Sequence, residues 1–222
     1  MDLNQNLIIS NYYKVKRQLH QFSRLIELEV NRILAPKKIK SVKLVAVAKN
    51  ESAYLLEWVF HHLYMGFSEI DIYYNGCNDN TLDLIPLLND FPVNFINADD
   101  IFSALTPAPQ VDIYRQSFRL HENRKFDALM FLDIDEYWVP INFEDKIADV
   151  CNRIGKYETI SFQWKNKLER HKPFAPALEK TIDVEPAKQI KTLYRSYLKP
   201  TRMNPHNVMD NGLNQKYEDG QI

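Results

Sequence analysis

The chain has 222 residues, 45% hydrophobic and 26% charged, with a formal net charge of −1. That supports one sizeable core with an appendage, and the near-neutral balance excludes an overall basic field of the kind that recruits nucleic acid. Two cysteines, Cys77 and Cys151, exclude a disulfide framework and a CxxC metal site. A reducing, cytoplasmic compartment is the expectation. The first residues lack the basic and apolar regions of a signal peptide, and no run of about 18 apolar residues suggests a membrane span. The charge is uneven: residues 1–40 hold eight Lys and Arg against three acids, a net of +5, which leaves −6 for the remainder.

Residues 7–34 read as a helix. Ile8, Tyr12, Val15, Leu19, Phe22, Ile26 and Ile33 lie near one stripe, with Lys, Arg, Gln and Asn between them, and Pro36 stops the pattern. Such a helix packs on the domain or on another subunit, or lies on an anionic membrane surface as a peripheral contact. We divide the chain into this basic amphipathic segment, 1–40, and a domain over 41–222. From residue 42, strands alternate with helices. Residues 42–48 form a buried strand, Ser52 caps a helix to about Tyr64, and Gly66 ends it. Residues 70–74 make a second strand closed by Asn75-Gly76. A short helix spans Thr81 to Leu88, and residues 93–96 are a third strand. Val111 to Arg124 is helical. Ala128 to Leu132 is an apolar strand that runs into Asp133-Ile134-Asp135-Glu136. Glu144 to Ile154 reads as helix and 159–164 as strand. Residues 165–222 are broken by five prolines, with a short strand expected at 191–195 and frayed residues from Tyr217.

This order predicts an α/β fold with a mostly parallel, Rossmann-like sheet flanked by helices. Ligands of such sheets bind beyond the carboxyl ends of the strands. Four polar segments fall there: Lys49-Asn50-Glu51, residues 75–79, Asn97 to Asp100, and residues 133–136. No Gly-x-Gly-x-x-Gly follows the first strand, and no P-loop or Gly-x-Ser-x-Gly occurs. Clustered carboxylates at a buried strand end need a positive partner, and a divalent cation that also grips phosphate supplies one. An isolated Asp-x-Asp is more often a solvated acidic turn. Here the three other polar strand ends favour a site.

Lys49-Asn50-Glu51 with Tyr54-Leu55-Leu56-Glu57-Trp58, His61/His62 and Gly66-Phe67 resembles the opening of family-2-like and family-92-like glycosyltransferases. Residues 72–75 with Asp79 and Thr81, then Phe131 to Tyr137, follow in the same order. The resemblance covers roughly residues 42–164. It implies a GT-A-like fold, an Asp-x-Asp metal site, Mn²⁺ or Mg²⁺, and a nucleotide-sugar donor, a UDP-sugar first. The implied acceptor is a hydroxyl of a glycan or lipid-linked glycan, with inversion at the anomeric carbon, as in surface polysaccharide or lipopolysaccharide synthesis. On this reading Asp133 and Asp135 serve the metal, joined by His206 as a late ligand, and Glu136 supports them or meets the acceptor. Lys49, Asn50, Glu51, Asn75 and Asp79 line the nucleotide pocket, and Lys191 and Arg195 meet the diphosphate. The general base is unassigned, with Glu169 and Asp210 as candidates. Trp164 stacks on a sugar or packs in the core, whereas Trp58 and one of the pair His61 and His62 read as packing residues. The alternatives are a non-catalytic nucleotide-sugar-binding or assembly module with the same fold and a haloacid-dehalogenase-type phosphotransferase; homo-oligomerisation is left open in each case. Glu136-Tyr137-Trp138 stands where that last class needs Thr or Val. The sequence leaves open whether the domain is complete at Ile222.

Overall fold

The computed structural model describes residues 3–168, 175–179, 181–210 and 212–218. The chain divides into two compact units, Met1–Pro36 and Lys37–Ile222. The first contains one long helix, α1 (Leu3–Leu34), followed by Pro36. The expected helix is therefore present and begins a turn early. The boundary falls before residue 40 because Ile39 belongs to the second unit. It is 3% exposed there, and its backbone exchanges two hydrogen bonds with the Asn152 side chain, both 2.8 Å.

The second unit is a seven-stranded sheet flanked by helices. Its strands are β1 (Val42–Ala48), β2 (Glu69–Tyr74), β3 (Val93–Asn97), β4 (Ala128–Phe131), β5 (Thr159–Lys167), β6 (Val184–Arg195) and β7 (Gln215–Tyr217). The spatial order is β3-β2-β1-β4-β6-β5-β7. Strands β1 to β4 run parallel; β6 is antiparallel to β4 and β5. The α/β, mostly parallel expectation holds. The order differs from the dinucleotide-binding 3-2-1-4-5-6, because an antiparallel strand is inserted after β4. Chain order reverses between β1 and β4, and that is where a crevice opens in such sheets. The core forms from the apolar faces of β1, β2 and β4. Leu44, Ile70, Ile72 and Leu129 are fully shielded, with Trp58 and Leu55 from helix α2 (Leu55–Tyr64).

Several elements depart from the sequence expectation. Ser52 does not cap α2, which starts three residues later; its N–H is taken instead by the Asp79 carboxylate at 3.1 Å. The helix expected over 81–88 is two 3₁₀ turns, Asn80–Leu84 and Pro86–Leu88, because Pro86 cannot continue the hydrogen-bond ladder. A short helix α3 (Asp99–Ser103) was not anticipated. The segment 111–124 is helix α4 (Pro109–Ser117) followed by a 3₁₀ turn, and α5 is confined to Ile147–Arg153. Strand β6 begins at Val184, well before Lys191. In β1, Lys43 is 2% exposed and meets Glu69 Oε1 at 2.9 Å, Asp71 Oδ2 at 2.6 Å and Asn123 Oδ1 at 2.8 Å. This buried charge network lies at the amino ends of the strands.

Candidate functional site

The carboxyl ends of β1 and β2 are stitched together by side chains from their own loops. Asn50 turns the chain at φ +62°, a left-handed conformation that Asn tolerates better than most residues. Its Oδ1 accepts from Asn78 N–H at 2.8 Å. The Thr81 hydroxyl accepts from Glu51 N–H at 2.9 Å, and Asp79 accepts from the Thr81 and Ser52 N–H groups. Burial alone would raise the Asp79 pKa, but these hydrogen bonds outweigh it and hold the carboxyl well below its usual range. From the end of β3, Asp99 accepts from Gly76 N–H at 2.8 Å. Lys49 is exposed, its ammonium beside Gly76. Asn75 is half-buried, and its N–H reaches Ala48 O at 3.3 Å.

The acidic loop after β4 is held from both sides. Behind it, α2 supplies three contacts to its backbone. Trp58 Nε1 donates to Glu136 O at 2.8 Å, His61 Nε2 donates to Trp138 O at 2.8 Å, and Trp138 N–H donates to His62 Nε2 at 3.2 Å. His62 Nδ1 donates to Trp58 O at 2.8 Å, so its bonds require the neutral ring. Burial pushes its pKa well down, with the neighbouring His61 adding to the effect. From β6, Lys191 Nζ meets Asp133 Oδ2 at 2.9 Å and Glu136 Oε2 at 2.8 Å. Gln110, in the first turn of α4, donates to Asp133 Oδ1 at 2.7 Å and lies 2.7 Å from the Tyr114 hydroxyl.

The result is an asymmetric acidic cluster. Asp133 has both oxygens engaged. Glu136 is 7% exposed. Its Oε2 takes Lys191 and the Asp133 N–H, its Oε1 is shielded without a hydrogen-bond partner, and burial raises its pKa against the opposing pull of Lys191. Asp135 is exposed, and its carboxylate has no hydrogen-bond or ion-pair partner among the described residues. Glu51, from the neighbouring strand end, has its pKa raised first by burial and then by the charges of Asp135, Asp79 and Asp133. The negative charges of Asp135, Asp79 and Asp133 therefore bear on Glu51 at the carboxyl end of β1.

His206 sits in a small turn closed by the Met203–Val208 bridge, with Asn204 Oδ1 accepting from His206 N–H at 2.8 Å. Its ring lies 5.7 Å from that of Trp164, and the Trp164 ring is 5.7 Å from Lys191 Nζ. The β5/β6 register shifts between Gln163 and Lys165, so Trp164 stands in a bulge, a device that re-aims a side chain. His206 thus neighbours Trp164 and is one ring removed from Lys191. Among the described residues no three His, Cys, Asp or Glu side chains converge on one point, so Asp133, Asp135 and His206 do not form a closed metal cage. The donor set still fits a hard divalent ion of the kind held by one or two carboxylates, with water and substrate phosphates completing its shell.

Two of the expected residues have other partners in the structure. Arg195 pairs in register with Ala128, at the start of β4, and lies by Glu158 and Tyr197. Four residues of extended chain, about 13 Å, separate it from Lys191 and take it away from the crevice. Asp210 accepts from Thr201 N–H at 2.7 Å and so holds its own turn together. Glu169 lies outside the described residues. Sequence reasoning missed Gln110, whose one sequence signal is its place just after Pro109 at a helix start, and the role of Ser52 and Thr81 as loop fasteners.

No family model matches the chain, and no curated protein matches it. Among solved structures, S. aureus TarS 1–349 aligns at a TM-score of 0.44 with 13% identity, covering 70% of this chain and 47% of that one. This chain therefore spans about half the length of that TarS fragment. HddC from Yersinia pseudotuberculosis aligns at 0.44 with 10% identity, covering 79% and 88%. A 4-diphosphocytidyl-2C-methyl-D-erythritol synthase aligns at 0.38 with 11% identity, covering 72% and 76%. No helix among the described residues is long and apolar enough to cross a membrane.

Proposed function

We propose that the second unit is a GT-A-type glycosyltransferase domain that binds a nucleotide-sugar and a divalent cation at the β1/β4 crevice. The observation that carries the reading is the division of the acidic loop: Lys191 neutralises Asp133 and Glu136, whereas Asp135 remains exposed beside Glu51. A structural acidic turn has no need of a buried lysine to silence two of its three carboxylates. Mn²⁺ or Mg²⁺ on Asp135 would supply neutralisation of the charge that develops on a departing nucleoside diphosphate. The chain's own groups do the rest. Asn50, Glu51 and Asn75 offer donors and acceptors for the nucleoside, and exposed Lys49 can meet a phosphate. Asp133, fixed by Lys191 and Gln110, is preorganised to accept from a ribose or sugar hydroxyl. Trp164 and His206 form an aromatic flank suited to a sugar ring. A uridine donor, an inverting outcome, a glycan or lipid-linked acceptor and a place in surface polysaccharide synthesis come from the motif resemblance.

A thermal-shift screen with UDP-, GDP-, CMP- and dTDP-sugars, with and without Mn²⁺, tests this. A donor at a hundredfold its Kd should raise Tm by roughly 5–10 °C, and only with metal. A metal-independent shift would remove the metal from the reading. No shift with any donor, in a folded protein, would instead support a non-catalytic module.

A further inference from the structure

Helix α1 carries a pattern more specific than amphipathicity. Tyr12, Val15, Leu19, Phe22, Ile26, Glu29 and Ile33 recur at alternating intervals of three and four residues. That is the 3.5-residue seam of a coiled coil, kept over three heptads. The seam is exposed along its length: Leu19 is 65%, Phe22 64% and Ile33 79% accessible, and the flanking Leu25 and Val30 are about half exposed. A stripe of this length does not stay in water without a partner.

The charges on the seam select the partner. Glu29, ion-paired with Arg32 one turn on, occupies a seam position. On a membrane it would press a carboxylate towards the acyl chains, which is costly. In a parallel pair of α1 helices it would face its own copy. Antiparallel pairing with Leu19 opposite Phe22 avoids both. That register sets Val15 against Ile26 and Tyr12 against Glu29, so a phenol hydroxyl can donate to the carboxylate. We propose that α1 is a dimerisation helix that pairs antiparallel with α1 of a second copy of this chain, Leu19 against Phe22.

Sedimentation equilibrium of the full chain tests the proposal. The expected species has twice the 26.2 kDa chain mass. The double substitution Leu19→Glu/Phe22→Glu should convert it to monomer, and Gln21→Glu, on the outer face, should leave it dimeric; unchanged near-ultraviolet circular dichroism would show that the second unit stays folded. Orientation is read from a spin label on Asn31→Cys with Cys77→Ser, Cys151 being buried. The antiparallel register places the two labels roughly 30–35 Å apart, from 21 residues of helical rise. A separation under about 20 Å means a parallel pair and overturns the register. A monomer at about 100 µM overturns the proposal, as does a trimer or larger assembly. A monomer that sediments with anionic vesicles does so too, and makes the helix a membrane-surface element.

Discussion

Lys191 sets the chemistry of the acidic loop by choosing which carboxylates it satisfies. Its side chain is almost fully buried between Asp133 and Glu136. Removing one partner of a buried charge cluster leaves the other uncompensated, at a cost of about 3–5 kcal/mol. Lys191→Met should therefore lower the unfolding free energy, from urea titration, by that much. Asp135→Asn touches no buried partner and should leave the unfolding free energy within about 0.5 kcal/mol of the parent, yet abolish metal-dependent donor binding. If the two variants instead behave alike in unfolding, the division between Asp133 and Asp135 is wrong. The Asp-x-Asp spacing and its place at a strand end were readable along the chain. The partnership with Lys191, 58 residues on, was not, because it depends on β6 being inserted antiparallel beside β4. The same insertion explains Arg195: strand period and direction decide which of two nearby basic residues reaches a site, and local sequence carries neither.

Helix α2 acts as a clamp on that loop, through Trp58, His61 and His62. The sequence marks Trp58 and one of the two histidines as packing residues, and Trp58 and His62 are fully buried, but it could not show that what they pack against is the candidate site. The clamp makes stability depend on pH. The folded-state pKa of His62 lies well below 6.5, so the unfolded chain binds the extra proton first. The stability it contributes is complete above about pH 6.5 and is lost as pH falls below that value. Lowering the pH from 7.5 to 5.5 should therefore destabilise the folded chain through His62. His61, whose pKa is lowered chiefly by burial, adds in the same direction. Glu51 and Glu136, whose pKa values are raised, act in the opposite sense nearer their own range. Urea unfolding of parent and His62→Gln at pH 7.5 and 5.5 separates these terms. The variant should lose about half or more of the parent's pH sensitivity; an unchanged slope would rule His62 out as its source. The capping error at Ser52 has the same origin as the unseen clamp. A serine before an apolar run is a sound helix-start signal, but Asp79, distant in sequence, competed for its backbone and won.

At the scale of the whole chain, the basic segment recognised in the sequence is not one structural object. Lys37, Lys38 and Lys40 belong to the second unit, and only five of the eight basic residues lie in the first. The reason is the anchoring of residues 39–41. Ile39 is buried and bonded through its backbone to Asn152, and the Lys40 and Ser41 N–H groups donate to Asp127 Oδ2 at 2.7 and 3.0 Å. Composition marked the change near residue 40 but could not show these tertiary bonds, which draw the boundary at Pro36. Two truncations distinguish the views. A chain of residues 37–222 keeps every anchor and should unfold in one cooperative transition with donor binding intact. A chain of residues 42–222 loses the buried Ile39 side chain, worth about 2 kcal/mol, together with four hydrogen bonds worth about 1 kcal/mol each, and should be less stable by roughly 6 kcal/mol. Comparing the urea midpoints of the two checks the boundary directly. Equal stability would mean that residues 37–41 contribute nothing to the fold, and a 37–222 chain that fails to unfold cooperatively would mean that the second unit requires α1. If both proteins behave as expected, sedimentation of 37–222 as a monomer beside a dimeric parent would assign self-association to the first unit and donor binding to the second.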